Sequence, residues 1–153
     1  MQGASATTDF GSMPAAADAV RRAILRSVGP VSIAFLDIAG LGLVNRRLGR
    51  AAGDSLLKRF EDRLTALAEA PERVWRLGGD EFLLLLPDRS ARSARRRVRR
   101  LRRTMAEDGL VFRSGGATAR PGAGTAWELY LAAGQAMRTA KRHRLDAVWT
   151  PAH

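Results

Sequence analysis

The sequence predicts an α/β (α+β) sandwich, one mixed and mainly antiparallel central sheet flanked by helices. Three observations predict it. Segments with helical spacing interleave with short apolar runs. One such run, VSIAFLDI at 31–38, is almost continuously apolar and rich in β-branched and aromatic residues, as a buried central strand should be. Two strand-like runs also flank the glycine turn in RLGGDEFLLLLP, residues 76–87, which makes a hairpin. A chain of 153 residues suits one domain with a real core.

Residues 1–17, MQGASATTDFGSMPAAA, are small and polar and are expected to be a disordered leader or linker; residues 18–153 form the single domain. The leader lacks the charged start and apolar stretch of a signal peptide. Residues 18–28 place Val20 and Ile24 at helical spacing, and Gly29 and Pro30 stop that helix. The strand at 31–38 carries Asp37 at its end, and AGLGL at 39–43 is a turn. Residues 43–67 are helical, with a break expected at Gly53 and Asp54, where Asp54 would cap a second helix. Leu57, Phe60, Leu64 and Leu67 line its inner face.

RVWRL and FLLLLP then form the hairpin. Residues 90–107 put Ala94, Val98, Leu101 and Met105 on one helical face, and most of the remainder is arginine. VFRSGGATA, 111–119, is a strand with a middle expected to be disturbed by glycine. Residues 126–142 form a last helix, with Leu129, Ala133, Ala136, Met137 and Ala140 inward, and DAVWT is a final edge strand. The order is α-β-αα-β-β-α-β-α-β.

The formal net charge is +11, carried almost wholly by arginine, because Lys58 and Lys141 are the two lysines. Such a balance favours acidic partners: nucleotides, nucleic acid or an anionic membrane surface. An arginine-rich coding bias accounts for it equally well. No cysteine is present, which excludes disulfides and Cys-ligated zinc. No apolar run is long enough to span a membrane, and a cytoplasmic location is expected.

The GGDE turn has a chemistry of its own. Gly78 and Gly79 permit positive φ and expose backbone N–H groups that a phosphate can approach closely. Asp80 and Glu81 offer hard oxygen ligands of the kind magnesium prefers, alongside water and phosphate oxygens. Asp37, at the end of the central strand, is a candidate second acid. Carboxylates converging from neighbouring strands suit phosphoryl transfer to a hydroxyl. An ordinary hairpin turn, with Asp37 as a solvent-facing acid, is the alternative that spacing alone leaves open.

RLGGDEF resembles the signature turn of the GGDEF family, the diguanylate cyclases. DIAGLGLVNRRLGRAAGD, residues 37–54, resembles the family stretch that usually reads DIDxFKxINDxxGHxxGD, with Asp37, Asn45, Gly49, Gly53 and Asp54 in register. SGGA at 114–117 is similar to its SIGV strand, and AMRTAK at 136–141 to its AMYxAK helix. GLVNRR at 42–47 also imitates an element that opens many such domains, but its distance to the signature favours the first register. That opening element is then missing.

The resemblance implies a nucleotidyl cyclase or polymerase-palm-like fold. It also implies a reaction, the condensation of two GTP into cyclic di-GMP with release of pyrophosphate, in bacterial second-messenger signalling. By the same resemblance, Asp37, Asp80 and the Ile38 carbonyl would hold two Mg²⁺ or Mn²⁺ ions when GTP is bound. Glu81 would order or activate the attacking 3′-hydroxyl. Gly78 and Gly79 would admit the phosphates, and Lys141 would reach the triphosphate. Asn45 and Asp54 would bind guanine. A carboxylate suits that base because its N1–H and exocyclic amine both donate. Each domain holds one GTP, so catalysis needs a homodimer.

Departures from the family pattern open a second reading. Ala39 replaces the second acid of DxD, Gly42 a phosphate-binding lysine, and Leu145 an arginine. Gly134 and Arg138 replace an acid and a tyrosine. One charged hydrogen bond is worth roughly 1.5–3 kcal/mol, so these losses matter. Arg46, Arg47, Arg142 and Arg144 are nearby candidates to compensate. The alternative function is therefore a catalytically degenerate domain that binds GTP or a protein. The family's inhibitory product site, RxxD, reads EAPE at 69–72, so no feedback inhibition is expected. The arginine row at 92–103 lacks interleaved aromatics. It is expected to be a solvated face that meets an acidic protein partner or regulatory domain, rather than nucleic acid.

Overall fold

The structure is a computed structural model that describes residues 14–151. Its elements are α1 (Pro14–Arg26), β1 (Val31–Ile38), α2 (Leu41–Leu48), α3 (Arg50–Leu67), β2 (Arg73–Gly78), β3 (Glu81–Leu86), α4 (Ala91–Glu107), β4 (Phe112–Ala119), α5 (Ala126–His143) and β5 (Ala147–Pro151). The expected order of elements holds throughout. The five strands lie in the order β2-β3-β1-β4-β5. The β2–β3, β3–β1 and β1–β4 pairs are antiparallel, and β5 joins β4 in parallel as an edge strand. The sheet is mixed and mainly antiparallel, as the sequence predicts.

Alternation along β1 divides the core into two layers. Val31, Ile33 and Phe35 face one side, where they pack with Val20 and Ile24 of α1 and Leu129, Ala133 and Met137 of α5. Ala34, Leu36 and Ile38 face the other, against Leu57, Phe60 and Leu64 of α3 and Val98, Leu101 and Met105 of α4. A strand buried on both faces has no polar alternation, which is why VSIAFLDI reads as a continuous apolar run.

Three boundaries differ from the sequence reading. The first helix begins at Pro14, and Ala16 is fully buried in it, so 14–17 belong to the fold. Residues 1–13 of the expected leader lie outside the described residues. The helical break falls at Gly49 (φ 92°), not at Gly53 and Asp54. Asp54 sits inside α3 and caps nothing. Finally, β4 is not disturbed at its glycines: its pairing with β1 runs unbroken from Val31–Ala119 to Ile38–Phe112. Gly115 and Gly116 serve packing instead. A Cβ at Gly115 would collide with the Met137 backbone, and one at Gly116 with the Trp149 indole.

Local chemistry fixes the helix starts. Ser90 caps α4 by accepting from Ser93 N–H at 3.2 Å. Thr125 and Glu128 form a reciprocal capping box at α5. On α4 two arginines depart from the expected solvated face, Arg97 and the half-buried Arg102. Arg97 is buried and pairs with the buried Glu72 through Nε–Oε2 at 2.8 Å and Nη2–Oε1 at 2.9 Å, and it donates to the Leu67 carbonyl at 2.6 Å. Arg89 adds a weaker contact to Glu72 at 3.6 Å. This pair ties α4 to the segment entering β2.

Candidate active site

The hairpin tip is built by backbone geometry. Gly78 and Gly79 take φ of 147° and 53°, conformations that side chains disfavour. Arg76 clamps the turn by donating from Nε and Nη2 to the Gly79 carbonyl, at 3.2 and 2.9 Å. Ile38 N–H donates to the Asp80 carbonyl at 3.1 Å, which anchors the tip on the end of β1. Its N–H so committed and its side chain in the core, Ile38 can offer only its carbonyl to a ligand.

Antiparallel register sets Asp37 directly opposite Glu81. Asp37 follows Leu36, so its side chain faces α5, and there Lys141 meets it. Lys141 Nζ lies 3.0 Å from Asp37 Oδ2 and 3.4 Å from Glu81 Oε2. The lysine thus bridges two strands and a helix.

Burial raises Asp37 to about 6, aided by the Asp80 charge and opposed by the hydrogen bond and charge of Lys141. Burial also lifts Glu81 above the ordinary carboxylate range, again against Lys141 and with Asp80. Lys141 itself is pulled down by burial, but its bonds and charge contacts to the two acids leave it raised. The second oxygen of Asp37, Oδ1, is buried without a hydrogen-bond partner.

These features bear on a cation. An orphaned carboxylate oxygen beside two acids, with an ammonium seated between two of the three, is an environment that attracts positive charge. Among the described residues, no group of three or more acidic, histidine or cysteine side chains stands close enough to hold a metal alone. Magnesium does not need one, since it binds through one or two carboxylates plus water and substrate phosphates. The hard oxygens of Asp37, Asp80 and the Ile38 carbonyl fit that demand.

Asn45 on α2 and Asp54 on α3 are both exposed, and neither makes a side-chain hydrogen bond among the described residues. They stand close together, because Asn45 Oδ1 lies directly over Gly53, where any Cβ would overlap it. Gly53 is therefore the contact point between the two helices.

Two arginines fill places that sequence reasoning left open. Arg46 leans back over Gly42, with Nη1 3.3 Å from where a Cβ would stand, so a guanidinium occupies the space beside the missing lysine position. Arg138 leans likewise over Gly134, at 3.7 Å. Helical side chains slope toward the N-terminus, so a glycine four residues before an arginine is a signal the sequence does contain. Arg138 lines a groove of ≈ 230 Å³ with Glu81, Lys141, Phe35 and the stacked Trp127 and Tyr130. No sequence signal links Trp127 to the GGDE turn.

A mixed sheet carries acids at the end of its central strand and at a glycine hairpin beside it. The family model described as "Diguanylate cyclase, GGDEF domain" matches residues 14–146. The chain belongs to the GGDEF family. It is 32% identical over 129 residues to the diguanylate cyclase DgcP of Pseudomonas aeruginosa, a match that covers 79% of this chain and 19% of that one. The GGDEF domain of DgcB from Caulobacter crescentus, solved in complex with c-di-GMP, has a TM-score of 0.78 at 21% identity, covering 91% and 89% of the two chains. The GGDEF domain of TpbB (YfiN) from Pseudomonas aeruginosa gives 0.77 at 29% identity, covering 92% and 88%. The chain spans about a fifth or less of the curated relatives DgcE of Escherichia coli and DgcP of Pseudomonas aeruginosa. No helix among the described residues is long and apolar enough to cross a membrane.

Proposed function

We propose that this domain is a diguanylate cyclase that joins two GTP molecules into cyclic di-GMP in the cytoplasm. One observation carries the reading: Asp37, Glu81 and Lys141 meet within 3.4 Å at the foot of a hairpin whose glycines leave the backbone open to phosphate. A domain that only binds a protein has no physical need for that cluster.

Each GTP lies across one domain. Asn45 and Asp54 take the guanine edge, Gly78 and Gly79 bring backbone N–H groups to the phosphates, and Arg46 and Lys141 supply positive charge. Asp37, Asp80 and the Ile38 carbonyl would hold two Mg²⁺ or Mn²⁺ ions, which when bound neutralise the triphosphate and acidify the 3′-hydroxyl. Glu81, with its raised proton affinity, accepts the hydroxyl proton at a carboxylate oxygen. The 3′-oxygen then bonds to the partner's α-phosphorus as the α–β bridge breaks and pyrophosphate leaves. The same exchange in the other direction closes the ring, so two domains must face each other.

The second reading is a GTP-binding or protein-interaction module, favoured by Gly42 and Leu145 at the phosphate end. The two separate by chromatography of GTP incubated with the chain and magnesium, then manganese. A cyclic di-GMP peak that is absent in Asp80→Ala supports the cyclase. Saturable GTP binding by calorimetry without product supports the module.

A further inference from the structure

A cleft of ≈ 280 Å³ lies between α4 and the β4–β5 edge, lined by residues of all three elements. It opens on the sheet face opposite the candidate active site. Its floor residue, Ser114, pairs with Leu36 of β1, whose side chain belongs to the α3–α4 layer, while Asp37 turns toward α5. Arg95, Arg99 and Arg102 reach the cleft from successive turns of α4, and the half-buried Trp149 indole gives it an apolar wall.

The charges here are not balanced. Asp146 is the one carboxylate among the lining residues, against three guanidinium groups. Arg95 and Arg99 form no ion pair or side-chain hydrogen bond among the described residues. They are four residues apart, the spacing at which like charges on a helix repel. Arg102 is fixed in place. Its Nη2 donates to Ser114 Oγ at 2.7 Å and to the Asp146 carbonyl at 3.2 Å, and its guanidinium covers the Phe112 ring at 5.4 Å. Its Nε, however, is buried and has no partner. Burial lowers its pKa, and the Arg99 charge lowers it further, against the pull of Asp146. A buried N–H without an acceptor is a costly arrangement.

We propose that this cleft binds a phosphate dianion carried on a small flat molecule, of the nucleoside monophosphate class. Three arginines against one acid leave an excess that a dianion neutralises and a monocarboxylate does not. Guanidinium groups match phosphate oxygens two by two. The Trp149 indole offers an apolar face to an organic body. The volume sits near the small end of ligand pockets, roughly 300–1,000 Å³, so it suits a small molecule rather than a polymer. The inference is independent of the cyclase reading, because none of the three arginines belongs to that site.

The test is calorimetry of the full chain at low salt, titrated with AMP and, separately, inorganic phosphate. Saturable binding of one AMP is expected, with phosphate weaker. The Arg95→Ala/Arg99→Ala double variant should bind AMP at least about tenfold more weakly, the scale of one charged hydrogen bond. Alanine favours helix at these exposed positions, so the variant should fold. Asp146→Asn should tighten binding. No saturable binding of either probe at millimolar concentration would overturn the proposal. So would AMP binding that survives the double arginine variant. Phosphate bound as tightly as AMP would overturn the organic body. A DNA oligonucleotide that binds far more tightly than AMP, and is weakened by Arg92→Ala and Arg96→Ala, would overturn the small-molecule class in favour of nucleic acid.

Discussion

Glu81 and Asp37 face each other across two strands, and a single ammonium answers both. If Glu81 takes the hydroxyl proton, Glu81→Gln removes the acceptor while keeping the shape. Product formation should fall by at least about a hundredfold, the low end of general-base contributions, with an unchanged circular dichroism spectrum. Retained turnover would refute that role. Asp54→Ala should remove discrimination between GTP and ATP in a competition assay, because a carboxylate pairs with two guanine donors that adenine lacks. The acids of GGDE and Asp37 suggested a chemistry of their own, while Asn45, Asp54 and Lys141 were named only through the family resemblance. Two contacts were not legible. Lys141 is 104 and 60 positions from the acids it bridges, a distance that no periodicity crosses. Arg46 over Gly42 was legible only as a nearby candidate, because its direction depends on helical slope rather than on residue type.

At the scale of elements, helix and strand identities followed from periodicity, and the misreadings came from glycine. A glycine followed by aspartate suggested a break at Gly53, yet that glycine is there to admit Asn45, and the positive φ falls at Gly49. Gly115 looked like a flaw in β4 but is the seat of α5. Gly115→Ala should therefore destabilise the domain by about 1–3 kcal/mol or more, read as a lower urea midpoint. The arginine helix hid two structural residues, Arg102 and the buried Arg97. Removing the partner of Arg97 in Glu72→Ala leaves a buried charge and should cost about 3 kcal/mol. Burial raises the Glu72 pKa, but the Arg97 hydrogen bonds, the Glu69 N–H and the Arg97 and Arg89 charges outweigh it, and the net shift is downward. A lowered folded value means that the pair's contribution is fully present above the ordinary glutamate value of 4.5 and is lost as pH falls below it. Urea melts at pH 6 and pH 4 should differ in wild type, and by less in Glu72→Ala. Because Glu72 is committed to Arg97, positions 69–72 should offer no product site. Turnover should then be insensitive to added cyclic di-GMP, and inhibition at low micromolar product would contradict this.

For the whole molecule, the sheet gathers its chemistry at one end, on the α5 side, and leaves an arginine-rich helix on the other face. In the proposed reaction one domain supplies one set of acids and one guanine site, so that reaction is complete only between two copies. The most direct measurement is the initial rate of cyclic di-GMP formation from saturating GTP and magnesium, followed by chromatography as the concentration of the chain is varied. The expected rate rises as the square of concentration at the dilute end and becomes proportional once dimers saturate. A complete absence of cyclic di-GMP at every concentration, with GTP still bound, would contradict it.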